Sequence, residues 1–289
     1  MSVTGDEVFG RLQAAARSSA GGAPSTQEFL VRHALESFLY RLTRTPHGDD
    51  FVLKGGILLA AYGVRRPTKD VDANATGADV TAEHIERIVR DVAAVVTDDG
   101  VVFDVETIAV QEIRDQAEYP GLRMRVTAHI GRWNGRVAWD VSTGDPIVPA
   151  PKRVSVDRVL GPPIAILGYA PETTLAEKGV TILERGITST RWRDYVDIVQ
   201  LAGHGLDEQE LLRSARAVAR YRRVRLEPVA PFLVGYAAVS QPKWAAWRRK
   251  ERLEAMSEAN LDDQVALVAG ILDPVFSRGP EEDTADAAP

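Results

Sequence analysis

The sequence predicts an α+β protein in which a mixed sheet with interspersed helices is followed by a mainly helical lobe. Three observations carry that expectation. Five short apolar or alternating segments lie between residues 51 and 142, separated by stretches of helical period. From about Pro151 the apolar spacing turns helical. At 289 residues and 45% apolar content the chain can bury a sizeable core. The expected division is 1–150 for the α/β core with its N-terminal helices, 151–278 for the helical lobe, and 279–289 for a disordered acidic tail.

Taken in order, an alanine-rich helix opens the chain and breaks at Gly21-Gly22-Ala23-Pro24. Ser25 and Glu28 have capping-box spacing and start a second helix running to about Leu42. Phe51-Val52-Leu53 reads as a short strand, followed by Lys54-Gly55-Gly56 and an apolar helix Ile57 to Tyr62, closed by Gly63. Thr68 to Ala73 is the next expected strand. Thr81 caps a helix whose Ile85, Ile88, Val89 and Val92 keep the helical period. Val101 to Val110, Leu122 to Ile130 and Arg136 to Ser142 read as further strands. Helices are expected over Pro171 to Arg185, Thr190 to Ala202, Asp207 to Arg225, and in a last stretch to about Leu272.

Composition narrows the function classes. A net charge of −6 argues against a protein that coats nucleic acid indiscriminately. The charge is nevertheless uneven: Asp207 to Glu254 holds eleven Lys+Arg against six acids. With no cysteine, disulfides and thiolate metal sites are excluded, and no run approaches the ~20 apolar residues of a membrane span. Met1 to Gly10 does not resemble a signal peptide. The expectation is a cytoplasmic monomer with no membrane association. His33, His47, His84, His129 and His204 show no ligand spacing.

Strand alternation would place Asp70 and Asp72 on one face and bury Val71 on the other. Adjacent carboxylates repel unless a cation lies between them, and oxygen-only ligands favour Mg²⁺, with Mn²⁺ as the alternative. Fourteen residues before Asp70, the Gly55-Gly56 pair lies between a strand and a helix, where backbone amides can approach an anion. Two-metal chemistry calls for a third carboxylate on a neighbouring strand. Asp140 is the candidate, with Asp145 as its competitor. Lys178 and Arg185, seven apart, share a helix face that could aim both at phosphate. Asp194 lies early in the next helix, where the helix dipole favours an acid in any case; Asp197, one turn on, could pair with Arg193 or Arg191. Arg213, Arg216, Arg220 and Arg223 fall at helical spacing along one face. With Trp244 and Trp247 beside Arg248-Arg249-Lys250 downstream, they suit contacts to RNA.

The run from Lys54-Gly55-Gly56 through Arg66-Pro67-Thr68-Lys69 to Asp70-Val71-Asp72 resembles the signature of the AbiEii/MenT group of nucleotidyltransferases, toxins of toxin–antitoxin systems. The likeness continues through Glu177-Lys178-Gly179-Val180, Glu184-Arg185-Gly186 and Arg191-Trp192-Arg193-Asp194-Tyr195-Val196-Asp197, covering roughly residues 25 to 202. Lys54 stands where some relatives carry another residue, and no serine follows the glycine pair. The resemblance implies a DNA-polymerase-β-like fold whose helical lobe completes the active site. It also implies that Gly55 and Gly56 hold the nucleotide phosphates, Asp70 and Asp72 the metals, and Lys178 the triphosphate, with Asp194 completing the essential set; Lys54, beside the glycines, is a further candidate for nucleotide binding. The activity it implies is Mg²⁺-dependent transfer of a nucleoside monophosphate, a pyrimidine, from NTP to the 3′ acceptor end of tRNA, which blocks translation; an antitoxin would be the partner. The alternatives are nucleotide transfer to a protein or an aminoglycoside-like small molecule, and a non-catalytic nucleotide-binding protein.

Overall fold

The computed structural model describes residues 3–18, 25–113 and 121–279. The expected glycine break at 21–24 and the tail after Gly279 lie outside them. Among the described residues the elements are α1 Gly5–Ser18, α2 Thr26–Leu42, β1 Phe51–Lys54, α3 Gly55–Leu59, β2 Val71–Ala75, α4 Ala82–Ala94, β3 Val102–Ile113, β4 Gly121–Ile130, β5 Trp133–Ser142, β6 Lys152–Val156, β7 Ile164–Gly168, α5 Pro171–Arg185, α6 Trp192–Ala202, α7 Glu208–Tyr221, α8 Tyr236–Glu251 and α9 Leu261–Phe276. The fold is α+β, as expected.

The local signals do the work assigned to them. Ser25 and Glu28 form a reciprocal capping box on α2, worth about 1 kcal/mol. Thr81 accepts from the His84 amide at the start of α4. Gly63 closes the turn after α3 at φ 78, a conformation costly for any residue with a Cβ.

The chain divides into two compact units, Met1–Gly144 with Pro151–Gly168, and Asp145–Ala150 with Tyr169–Pro289. The first contains a seven-stranded mixed sheet ordered β3-β4-β5-β2-β1-β7-β6. β2 runs parallel to β5 and β1 parallel to β7; the other pairs are antiparallel. Two edge-side strands, β6 and β7, lie in a segment read as helical. β6 alternates exposed Lys152, Arg153 and Ser155 with Val154 and Val156, and Gly161-Pro162-Pro163 precedes β7. That is a period of two ended by a turn, easily lost beside the long helical stretch that follows.

One face of the sheet is apolar. Phe51, Val71, Met124 and Trp139 are buried there, and α2 packs on it through Phe38, whose ring lies 5.4 Å from Trp139. Pairing fixes the other face. Lys54 opposes Asp72, Asp72 opposes Asp140, Asp140 opposes Arg123, and Arg123 opposes Gln111, one polar row across five strands.

The second unit is helical. α5 packs with α7 and α6, while α6, α7 and α8 pack with α9. Its core includes Tyr195, Val196, Trp244 and Phe276.

Candidate active site

The polar row sets the geometry of the first unit's site. β2 begins at Val71, so Asp70 precedes the strand instead of lying on it. The expected strand from Thr68 is shorter because Arg66-Pro67-Thr68 takes an irregular path, in which Thr68 Oγ1 hydrogen-bonds the Asp70 carbonyl at 3.3 Å. Asp72 is on the strand and in register with Asp140 of the parallel neighbour. In-register residues on adjacent strands project to the same side at close range.

The electrostatics follow from that packing. Burial first, then the negative charges of Asp70 and Asp140, push the Asp72 carboxyl up to about 7, against the opposing pull of Lys54 and Arg66. Arg123 holds Asp140 in a two-pronged grip, its Nε donating to Oδ1 at 2.7 Å and its Nη2 to Oδ2. That grip raises the Arg123 guanidinium above its ordinary range. Arg123 was not visible as a site residue in the sequence. A basic residue on an antiparallel neighbour becomes a partner only when the β4–β5 register is known.

Gly55 is required twice over: it has φ +69, and a Cβ there would lie 2.0 Å from Asp72 Oδ2. A Cβ on Gly56 would come within 2.7 Å of Thr68 Oγ1 and 3.0 Å of Arg66 Nη1. The pair therefore lets the backbone pass directly beside the carboxylate. Lys54 ends β1 opposite Asp72.

The donor set fits a hard divalent cation. Among the described residues no three Asp, Glu, His or Cys side chains converge as a ready-made cage. Mg²⁺ does not need one, since it commonly takes one or two carboxylates and completes its octahedron with water and substrate phosphate. Burial, with the neighbouring charges of Asp70 and Asp140, holds the Asp72 proton to about 7, and a bound cation would relieve the part that is repulsion.

In the helical unit, Lys178 of α5 bridges two acids of α6, reaching Asp194 Oδ1 at 2.6 Å and Asp197 Oδ2 at 2.9 Å. Arg191 Nε binds the second oxygen of Asp194 at 2.7 Å. Burial opposes ionisation of Asp194, but Lys178 and Arg191 outweigh it and hold the carboxyl well below the usual range. Asp197 thus pairs with Lys178 and not with Arg193, which reaches Glu251 at 2.6 Å. Its 1% exposure was the missing signal. Arg185 is the last residue of α5 and half-buried.

The basic segment separates into parts. Arg213, Arg216 and Arg220 share a face of α7, while Arg223 lies beyond its end at φ 54. Arg213 pairs with Glu210, Arg216 donates to the Gly279 carbonyl at 2.8 Å, and Arg220 and Arg223 are exposed. Trp244 and Trp192 belong to the core, and Trp247 is half-buried at its edge. Trp244 is fully buried and stacks on Trp247, with Trp192 close to both, and Arg248 is bound to Ser257. Asp145, the competitor to Asp140, belongs to the helical unit, where Arg222 grips both its oxygens at 3.0 and 2.9 Å.

Residues 37–273 match the family model described as nucleotidyl transferase AbiEii toxin, type IV TA system. No curated protein matches the sequence. Among solved structures, MenT4, a nucleotidyltransferase toxin from Mycobacterium tuberculosis H37Rv, aligns over 93% of this chain and 88% of its own, with TM-score 0.52 and 18% identity. An H. pylori protein assigned as a nucleotidyltransferase aligns over 86% of this chain and 95% of its own, with TM-score 0.51 and 15% identity. At these identities the two structures speak for the fold alone.

Proposed function

The chain belongs to the AbiEii family of nucleotidyl transferase toxins of type IV toxin–antitoxin systems, and from that premise we propose that it transfers a nucleoside monophosphate from an NTP to the 3′ end of tRNA, with a pyrimidine nucleotide preferred. The observation that carries the catalytic part is the register of Asp72 with Asp140 beside the Gly55 turn, a cluster of carboxylates against which the backbone packs directly because no side chain intervenes. The tRNA acceptor and the pyrimidine preference rest on the resemblance to the MenT group. The exposed arginines Arg220 and Arg223 are compatible with an acidic acceptor.

In this reading Asp70 and Asp72 hold Mg²⁺, with Asp140 as the third carboxylate. When bound, the metal supplies charge neutralisation for the triphosphate and its leaving group and lowers the pKa of an attacking hydroxyl. The 3′ hydroxyl of the acceptor attacks the α-phosphorus, and pyrophosphate leaves. Asp72 must be ionised to bind the metal, so its raised pKa makes the site pH-sensitive near neutrality. Arg123 fixes Asp140 in position. Gly55 and Gly56 are the proposed phosphate contacts, their missing side chains letting the backbone lie against Asp72 and Thr68, and Lys54 contributes a positive charge at the end of β1. Lys178 is the proposed triphosphate contact, oriented by Asp194 and Asp197, with Arg185 a second phosphate contact. Arg213, Arg216, Arg220 and Arg223 are the proposed tRNA contacts. An antitoxin partner and a cytoplasmic site of action belong to the same reading. Among the described residues no helix is long and apolar enough to cross a membrane.

The test is to incubate the protein with each α-labelled NTP, Mg²⁺ or Mn²⁺, and total tRNA, alongside Asp72→Asn. Label in tRNA from the unaltered protein and none from the variant is the expected result. Label in protein or a small molecule instead would replace the acceptor, and NTP binding without any transfer would remove the catalytic claim.

A further inference from the structure

Between α1, α2 and the loops that carry Thr97 and Arg158, the first unit contains a cavity of about 370 Å³ whose lining includes no residue of the carboxylate row. Its lining brings together Arg11 of α1, His33 and Tyr40 of α2, Arg44 just after α2, Thr97, and Arg158 from the loop between β6 and β7. Three guanidinium groups from three separate segments therefore face one space.

Arg158 is the telling group. Its side chain is 3% exposed, yet neither its Nε nor its Nη2 has a hydrogen-bond partner among the described residues. It forms an ion pair with Asp99, but at 3.7 Å the contact is beyond hydrogen-bond range. Asp99 is occupied elsewhere, accepting from Ser37 Oγ at 2.7 Å, Arg41 Nη2 at 2.9 Å and the Val101 amide at 3.1 Å. Glu36 is likewise taken, by Arg32 at 2.6 Å and the Val159 amide at 2.6 Å. The remaining acid, Asp98, accepts from the Val3 amide at 2.6 Å. Tyr40 holds two of the cations in place, with the Arg44 guanidinium 3.6 Å and that of Arg158 4.3 Å from its ring centre.

A buried guanidinium with an unused donor edge is costly and is satisfied by an oxyanion accepting two parallel N–H bonds, and three guanidinium groups at one cavity favour the more highly charged phosphate over a carboxylate. The cavity's other unsatisfied groups suit the same ligand. Thr97 Oγ1 is buried without a partner and can donate to a phosphate oxygen. His33 Nε2 lies 2.9 Å from the Asp99 carbonyl, which only accepts, so the ring proton is on Nε2 and the unpartnered Nδ1 is an acceptor suited to a ligand hydroxyl. The volume falls within the range of small-ligand pockets.

We propose that this cavity binds a small phosphate-bearing anion, held by Arg158 with Arg44 and Arg11 at its mouth, at a site separate from the carboxylate face. Two sources share that chemistry: inorganic pyrophosphate and a nucleoside monophosphate.

Isothermal titration of the full chain with pyrophosphate and, separately, with AMP distinguishes them, in EDTA so that no divalent cation recruits either ligand to the carboxylates. The variants are Asp72→Asn, Arg158→Gln and Arg44→Gln; Arg44 is exposed, so its replacement tests the site even if Arg158→Gln fails to fold. Binding of either ligand, equal in the unaltered protein and Asp72→Asn and weakened roughly tenfold or more in Arg44→Gln, is the expected result. The ligand that binds names the source. No binding of either ligand overturns the proposal. So does binding that survives Arg44→Gln and Arg158→Gln, or is lost in Asp72→Asn.

Discussion

Replacing Asp72 by asparagine should stabilise the metal-free protein at pH 8 while abolishing nucleotide transfer. The sign follows from the direction of the shift. Asp72 ionises at about 7 in the folded chain against an ordinary value of 3.8. The folded state therefore binds its proton more tightly than the unfolded state does, and stability is lost as pH rises from about 4 through about 7. At 1.36 kcal/mol per unit, a displacement of about 3 units is about 4 kcal/mol. Asp70 and Asp140 share the repulsion, and relaxation reduces it further, so a gain of about 1–3 kcal/mol at pH 8 is expected. Thermal melts of both proteins in EDTA at pH 5 and pH 8 measure it. Asp72→Asn should melt higher at pH 8, the gap should narrow at pH 5, and Mg²⁺ should raise the melting temperature of the unaltered protein only. A variant that melts lower at both pH values, or a gap that does not change with pH, would refute the reasoning that burial and the neighbouring carboxylates hold the Asp72 proton.

Lys178→Met should destabilise by about 3–5 kcal/mol, because it removes a cation from two buried acids, Asp194 and Asp197; urea unfolding checks this, and adding Asp197→Asn should recover part of the stability without recovering activity. In the same unit, Asp194 stays ionised well below the usual range, so its contribution holds above about pH 4 and is lost as pH falls further, which an acid titration of stability would show. Gly55→Ala should cost about 1–3 kcal/mol and at least tenfold in transfer rate, since the new methyl must adopt φ +69 and displace the Asp72 carboxylate; unchanged kinetics would contradict the close approach. Replacing Arg220 and Arg223 together by glutamine should lower the salt dependence of tRNA binding by about two counterions' worth, measured as the slope of log affinity against log salt.

Much of the fold was legible because it is encoded over short distances. The capping box at Ser25, the Thr81 cap, the left-handed Gly63 and the period of α5 each need only a few neighbouring residues. β6 escaped because an alternating edge strand of five residues carries little apolar signal. The site was legible as residue types and spacing, and the pairing of those residues was not. Trp244 illustrates the gap: the same aromatic-plus-arginine pattern describes a nucleic-acid surface and a core tryptophan stacked on its neighbour, and only burial separates them.

The sequence by itself determined the α+β order of elements, the Asp70-Val71-Asp72 carboxylates, the glycine turn beside them and the Lys178 segment. Each of these is a local pattern of side-chain chemistry at fixed spacing. Tertiary structure alone decided that Asp140 lies in register with Asp72 across 68 residues, that Arg123 grips it, that Lys178 spans both Asp194 and Asp197, and that Arg11, Arg44 and Arg158 face one cavity. The physical reason is that strand register and helix packing are settled by burial of the whole apolar face at once. A chain's local spacing fixes which groups it can offer; the shared core fixes which of them meet.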